Sequence, residues 1–412
     1  MATNTTDKPD AKPKSIWDTI LASTPIVLTV VATTLAGLSS SEMTQAQYHR
    51  SLASQHQSKV GDQWGFFQAK RIRGSGKENL VVQLRKDADT EPVTAEFIKS
   101  VVAQLPRLFS NAEREAKQLL AAIAAARTDL GANMSESLRL AAKKAEQTAA
   151  DKAKEARAWN GRIDQALNNP NMTEALGYLN RNKLPEVAKE PIGDANIQQA
   201  TEAIRQRQTE TETVPLMAKI SEDELRKAVD AAENNARAFD ARGKPVEKSH
   251  SDLGRLVDEA LALVKALRRP VRDVMAAMAD VPMTGSNSLV ELRVAAAALE
   301  RTNNSLSGSV KELSDSFTAA SEDYTARRYR READDNQDIA GVLEVQVRKS
   351  SWNSDRHRER SVMFFYGMLA AQAGVVIATF SLAVRRRSAL WGLATVAGLG
   401  AILFAAYVYL YR

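Results

Sequence analysis

Few side chains in this 412-residue sequence have the types and spacing that chemistry requires. The histidines are His49, His56, His250 and His357. His49 and His56 are seven positions apart, so a helix places both imidazoles on one face. A zinc site needs three or four protein ligands, and no third ligand stands at metal spacing, so the pair predicts no metal site. Cysteine is absent, which excludes disulfides, thiolate catalysis and Cys-based metal sites. No glycine-rich loop opens a helix from a strand, and Gly74-Ser-Gly76 reads as a lone turn signal. The carboxylates are scattered along helix faces, where water solvates them. One polar side chain stands out by its surroundings: Gln372 sits in the middle of an uncharged apolar run. An amide there is costly unless bonded, so it is expected to face protein or water, in an interhelical hydrogen bond or in a permeation or sensing role. These residues predict no catalytic, cofactor-binding or metal site, and a protein that is not an enzyme.

The elements that would position them begin with that apolar run. Ser361–Val384 and Ser388–Tyr411 are each 24 residues without a charge, separated only by Arg385, Arg386 and Arg387. About 20 apolar residues span a bilayer as a helix. The two runs therefore predict transmembrane helices at 361–384 and 388–411, joined as a hairpin by the basic loop 385–387. A third uncharged run, Thr19–Ser41, predicts a first transmembrane helix over 16–41, after a disordered polar tail at 1–15. Ala370, Gly374 and Ala378, with Ala397, Ala401 and Ala405, offer small-residue faces for the hairpin contact.

Between the membrane segments the composition favours long helices. Residues 39–360 hold 49 Lys+Arg against 47 Asp+Glu, so the net charge of +6 comes largely from the flanks of the membrane runs. This pattern predicts a lipid bilayer as partner and no nucleic acid. A helical stalk is expected over 42–73, where Tyr48, Leu52, Gln55 and Lys59 share a stripe and Trp64, Phe66 and Phe67 form an aromatic knot. A linker is expected over 74–93, with Leu80–Leu84 as a possible short strand. A helical domain follows over 94–286, with capping boxes at Ser110–Glu113 and Ser221–Glu224, a turn-rich linker at 168–193 and a helix end near Arg242–Pro245. Over 287–360 a coiled-coil helix returns to the membrane. Leu289, Ala296, Asn303, Val310 and Phe317 fall at a positions, and Leu292, Leu299, Leu306 and Leu313 at d. Asn303 at a is a register device if the seam pairs with another chain; the alternative is a helix of an intramolecular bundle. The first and last stalks should pack antiparallel near the membrane, partly burying Tyr48 and Trp64. The fold class is thus an all-α membrane protein with one N-terminal transmembrane helix, a long helical and coiled-coil extramembrane domain, and a C-terminal transmembrane hairpin.

Two blocks resemble a known family. Asp62-Gln-Trp-Gly-Phe-Phe-Gln-Ala-Lys70 with Arg71-Ile-Arg73 is one; Gln372-Ala-Gly-Val-Val-Ile-Ala378 with Arg385–Arg387 and the apolar tail to Tyr411 is the other. The sequence is similar at these blocks to the bacterial membrane proteins grouped as domain of unknown function 4337. The resemblance implies the same membrane layout, a bacterial inner membrane and no known activity. Positive charge in a very short loop is hard to translocate, so Arg385, Arg386 and Arg387 together with Lys8, Lys12 and Lys14 are expected in the cytoplasm. The large domain is then extracytoplasmic. The expected role is a scaffold or assembly component, homo-oligomeric through its helices. The alternatives are a subunit of a transport or channel complex, or a signal-transducing receptor.

Overall fold

The computed structural model describes residues 16–88, 90–180, 183–281, 286–384 and 387–411. The expected tail at 1–15 and the loop arginines Arg385 and Arg386 lie outside them. Among the described residues every regular element is a helix: α1 (Ile16–Asp87), α2 (Ala95–Ala125), α3 (Arg127–Leu130), α4 (Ala132–Leu167), α5 (Pro170–Asn180), α6 (Ala195–Arg205), α7 (Glu210–Lys219), α8 (Glu222–Ala279), α9 (Asn287–Ala383) and α10 (Arg387–Tyr411). Three of them, α1, α9 and α10, contain stretches long and apolar enough to cross a membrane. The chain forms two units. One takes Met1–Gln63, Pro191–Asp230 and Ile339–Arg412; the other takes Trp64–Glu190 and Ala231–Asp338.

The second unit is built by stripes with alternating three- and four-residue spacing. In α2 the stripe is Ile98, Val101, Leu105, Phe109, Ala112, Ala116, Leu119 and Ile123, all buried. In α4 it is mostly alanine: Leu138, Ala142, Ala145, Ala149, Ala153, Ala156, then Trp159 and Ile163. Alanine has no rotamers to freeze and lets two helices approach closely, so this narrow seam packs tightly against α2. The turn between them is made by α3 and Gly131, whose φ of 73° only glycine adopts without strain. Trp159, fully buried, donates its Nε1–H to the Leu256 carbonyl of α8 at 2.8 Å. The stripe Leu253, Leu256, Val257, Ala260, Val264 and Leu267 of α8 belongs to the same core, with Leu261 partly buried against it, as do the predicted a and d residues Leu289, Leu292, Ala296, Leu299, Leu306, Val310 and Leu313.

Several local signals are overruled. The Ser110–Glu113 box starts no helix: α2 begins at Ala95, where the Thr94 side chain accepts from the Phe97 N–H, and runs on through Pro106. A cap is worth about 1 kcal/mol, less than the continued burial of Leu105, Phe109 and Ala112. The expected end at Arg242–Pro245 lies inside α8, because Phe239, Val246, Ser249, His250 and Leu253 keep the buried stripe going past Pro245. The expected linker at 74–93 is helical to Asp87, and no strand forms at Leu80–Leu84. Gly74 there is a contact point: its Cα lies so close to α9 that a Cβ would sit 3.4 Å from the Ala326 carbonyl oxygen. Lys77 pairs with Glu322 at 2.7 Å, Lys70 with Glu332 at 2.6 Å, and Val81 is buried. This packing outweighs the helix penalty of a glycine, about 1 kcal/mol. The expected linker at 168–193 contains α5, opened by Pro170 at its first helical position, where the missing N–H costs nothing. The extended segment after it is clasped by Asn235, which accepts from the Glu190 N–H at 2.8 Å and donates to its carbonyl at 2.9 Å. The Ser221–Glu224 box does form, with Ser221 N–H to Glu224 Oε2 at 2.9 Å and Glu224 N–H to Ser221 Oγ at 3.2 Å.

In the first unit the three apolar stretches pack together. Leu28 and Leu35 of α1 reach between α9 and α10. A Cβ on Gly374 would meet the Ala394 carbonyl oxygen and a Leu28 methyl, each at 3.3 Å, and one on Gly398 would collide with Leu28. Gly374, Ala378, Ala401 and Ala405 thus lie in the contact as their spacing predicts, while Ala370 is exposed. Trp391 Nε1 donates to Thr24 Oγ1 at 2.8 Å. Where polar residues take over, α6, α7 and the start of α8 pack on α9 through Ile197, Met217, Ile220, Leu225, Val342 and Val345.

The seam from Leu289 is covered by helices of its own chain, which favours the intramolecular alternative for Asn303. It is 5% exposed, and its Oδ1 has no hydrogen-bond partner. A buried unsatisfied carbonyl costs about 1–3 kcal/mol. Asn303→Leu is therefore expected to stabilise the bundle by about 1 kcal/mol after the cost of the larger side chain, read as a raised thermal midpoint with unchanged oligomer size in sedimentation.

Candidate functional site

The polar groups that come together most closely do so where α1 and α9 leave their apolar stretches. The cause is a heptad pattern in α1 that apolar periodicity does not reveal. Leu28, Leu35, Glu42, His49 and His56 occupy one seam position, and Ala32, Ser39, Ala46, Ala53 and Val60 the other. Beyond Ser39 the first set turns polar while the second stays small, so α9 approaches closely and each polar side chain must find a partner on it. Ser39 and Ser361 form a reciprocal clasp. Ser39 Oγ donates to the Ser361 carbonyl at 2.9 Å, and Ser361 Oγ to the Ser39 carbonyl at 2.8 Å. One turn on, the Glu42 carboxylate lies 2.6 Å from His357 Nδ1. Another turn on, Ser354 Oγ donates to the Ala46 carbonyl at 2.8 Å. The order of these partners makes the pair antiparallel, as expected, and both helices run unbroken from their apolar stretches into this polar seam.

His49 comes next. Its ring stacks on that of His357, with centroids 5.5 Å apart and planes 4° apart. Its Nδ1 lies 3.7 Å from Glu222 Oε1, too long for a hydrogen bond, and has no other partner. Burial lowers its pKa; Glu222 opposes the shift, while His357 and Lys349 add to it. The imidazole is thus held neutral beside a buried ammonium. Lys349, 8% exposed, donates to the Met217 carbonyl in the last turn of α7 at 2.7 Å and lies 4.4 Å from the Trp352 ring centroid. Burial lowers its pKa too, with Glu222 opposing. Arg356 stacks on the same indole at 5.6 Å. Glu222, in the first turn of α8, accepts from Asn353 Nδ2 at 2.9 Å. Four elements, α1, α7, α8 and α9, therefore meet on one chain of groups from Glu42 to Lys349.

The arrangement can hold a register and change its charge. Glu42 fixes one ring nitrogen of His357, and burial resists protonation of the stacked, unbonded His49. Among the described residues no three His, Asp or Glu side chains come together as a metal site. The second unit holds another buried imidazole. His250 Nε2 is 3.0 Å from the Ala175 carbonyl, and its ring meets Tyr324 edge-on at 4.7 Å. Burial pushes the Tyr324 phenol up to about 12.

The residues singled out from sequence fare unevenly. Tyr48 is 57% exposed, because the buried stripe of α1 runs through positions 46, 49 and 53, on the other side of the helix from Tyr48. Leu52 is half-buried, while Gln55 and Lys59 are exposed. Trp64 and Phe67 are half-buried and pack edge to face at 5.2 Å. Gln372 does not face the hairpin: it is exposed and makes no hydrogen bond with any described residue. Arg387 opens α10. Sequence reasoning missed Glu42, Glu222, Lys349 and His357. The signal that finds Glu42 is the continuing seven-residue repeat of small residues after Ser39, with polar residues at the alternate seam position; Glu222, Lys349 and His357 carry no such local signal.

His49, His56 and His250 all have pKa values lowered chiefly by burial. Below the ordinary imidazole value of about 6.5 the unfolded chain therefore binds more protons than the folded one. Stability is full above that pH and is lost as pH falls through the lowered folded values. The thermal midpoint of the full chain in detergent should drop between pH 7.5 and 5.5. His49→Gln should remove only its own share of the drop, leaving those of His56 and His250.

No curated protein and no solved structure matches the chain. Residues 17–161, which take in nearly all of α1, then α2 and α3 and most of α4, match the model of the family described as Domain of unknown function (DUF4337), and this bears out the resemblance read from Asp62–Arg73.

Proposed function

We infer that the protein is a non-enzymatic, membrane-anchored helical scaffold or assembly component. The reading rests on one observation. The helices that carry two of the three candidate spans, α1 and α9, are the same unbroken helices that carry the polar seam. An anchor built this way has no linker at the membrane boundary, so the spans and the polar seam just beyond them are one mechanical piece. The membrane is a bacterial inner membrane, with the N-terminus and the 385–387 loop in the cytoplasm and the large helical region outside. Exposed Val290 and Val294 on α9 and Leu140 on α4 offer apolar contact points to a protein partner. Signal transduction is a second reading, favoured by the stacked His49–His357 pair and the Ser39–Ser361 clasp, which tie helix register to charge just beyond the spans.

Three measurements test the proposal. Protease added outside spheroplasts should cut the extramembrane helices, whereas protease added to inside-out vesicles should leave them whole; the reverse pattern overturns the orientation. A photo-crosslinking residue at Val290 should give a discrete adduct in cells, and one at the half-buried Trp64 should not. Turnover of a phosphoester, peptide or glycoside substrate at enzymatic rates by the reconstituted chain would overturn the non-enzymatic reading.

A further inference from the structure

The apolar stretch of α9 has two seams, and only one is used within the chain. The inner seam, Ser361, Phe364, Ala371, Ala378 and Ser381, is buried against α1 and α10. Beside it runs a second stripe with the same four-three alternation: Phe365, Leu369, Gln372, Val376 and Thr379. All five are exposed, with Phe365 at 45%, Leu369 at 43% and Val376 at 53%. The Thr379 hydroxyl is satisfied by the Val375 carbonyl at 2.8 Å, one turn back on its own helix. The Gln372 amide makes no hydrogen bond with any described residue, and it stands at the midpoint of the 24-residue run. Lipid can neither donate to it nor accept from it, and an unpaired amide in hydrocarbon costs several kcal/mol.

We propose that this stripe is the seam of a parallel two-fold dimer in which Gln372 pairs with Gln372 of a second copy. The occupant follows from symmetry. A two-fold axis along the membrane normal sets each seam residue against its own copy at the same depth. A carboxamide both donates and accepts, so two facing copies satisfy each other, as a buried amide at one seam position does in coiled coils. A different partner would have to supply its own donor and acceptor at the bilayer midplane. The heptad spacing around Gln372 is what a second helix needs in order to pack along the whole stripe. The inference rests on the reading that residues 361–384 cross a membrane.

The chain has no cysteine, so single-cysteine variants of the full chain in liposomes are a clean probe. Oxidative cross-linking should join Leu369→Cys and Val376→Cys chains into dimers. Ala370→Cys, exposed on the other flank of the helix, should stay uncrosslinked. Dilution with lipid, read by energy transfer between labelled chains, should show Gln372→Leu weakening the dimer about 3- to 20-fold, the range of single hydrogen bonds between membrane helices. Gln372→Asn should keep most of the affinity. A chain that stays monomeric at every lipid ratio, equal cross-linking at positions 369 and 370, or an unchanged Gln372→Leu dimer would each overturn the proposal. Labelling of Leu369→Cys with a membrane-impermeant maleimide separates the two failures. A protected thiol on a monomeric chain overturns the dimer alone, and rapid labelling overturns the membrane assignment beneath it.

Discussion

Pairing of polar groups across the α1–α9 seam is the constraint on which the first unit depends. Small residues at Ala46, Ala53 and Ser354 bring the two helices close, which excludes water from whatever shares the seam. Once water is gone, the serines and the Glu42 carboxylate are matched from the facing helix, because an unmatched buried polar group costs more than a matched one contributes, while His49 is only stacked on His357. The matches fix the alignment. Sliding α9 by one residue along α1 separates Ser39 from Ser361, Glu42 from His357 and Ala46 from Ser354 at the same time. An apolar seam would tolerate neighbouring registers better, so the polar residues contribute uniqueness more than strength.

The second unit solves the same problem with different residues. Where α9 carries Arg328, Arg331, Glu332 and Asp335, charges pair along the helix and across to its neighbours. Arg328 bonds Glu332 at 2.6 Å and also reaches Glu247 of α8, while Arg331 pairs with Asp335 at 3.2 Å and lies over the Phe239 ring. The basic-then-acidic run after the heptads is therefore part of the packing. Burial raises the pKa of Asp335 even though Arg331 and Lys189 oppose the shift.

How much of this was legible depended on whether a signal was carried by composition or by context. The three apolar runs and the heptads from Leu289 need only length and spacing, and they stand where the sequence puts them. So does the reciprocal cap at Ser221 and Glu224, whose partners are three residues apart. Gly74, Pro245 and the Ser110 box were misleading because a breaker or a cap is worth a few kcal/mol at most, and a stripe that stays buried on both sides overrides it. The polar cluster was half legible. His49 and His56 declared a shared face, but Glu222 and His357 come from distant parts of the chain, and no local pattern ties them to it. Gln372 was recognised as anomalous, yet its direction depends on which face the neighbouring helices cover, and that is a tertiary fact.

The Ser39–Ser361 clasp joins residues 322 positions apart in the chain. During synthesis α1 is complete long before its seam partner exists, since everything from α2 to most of α9 is made in between. Contacts of such high sequence separation form late, after local pairs such as α2 with α4. An unpartnered helix with an apolar seam would meanwhile be an aggregation hazard. With Glu42, His49 and His56 in its seam, α1 can wait in water, and the residues that later fix the register also keep the nascent helix from pairing with the wrong surface.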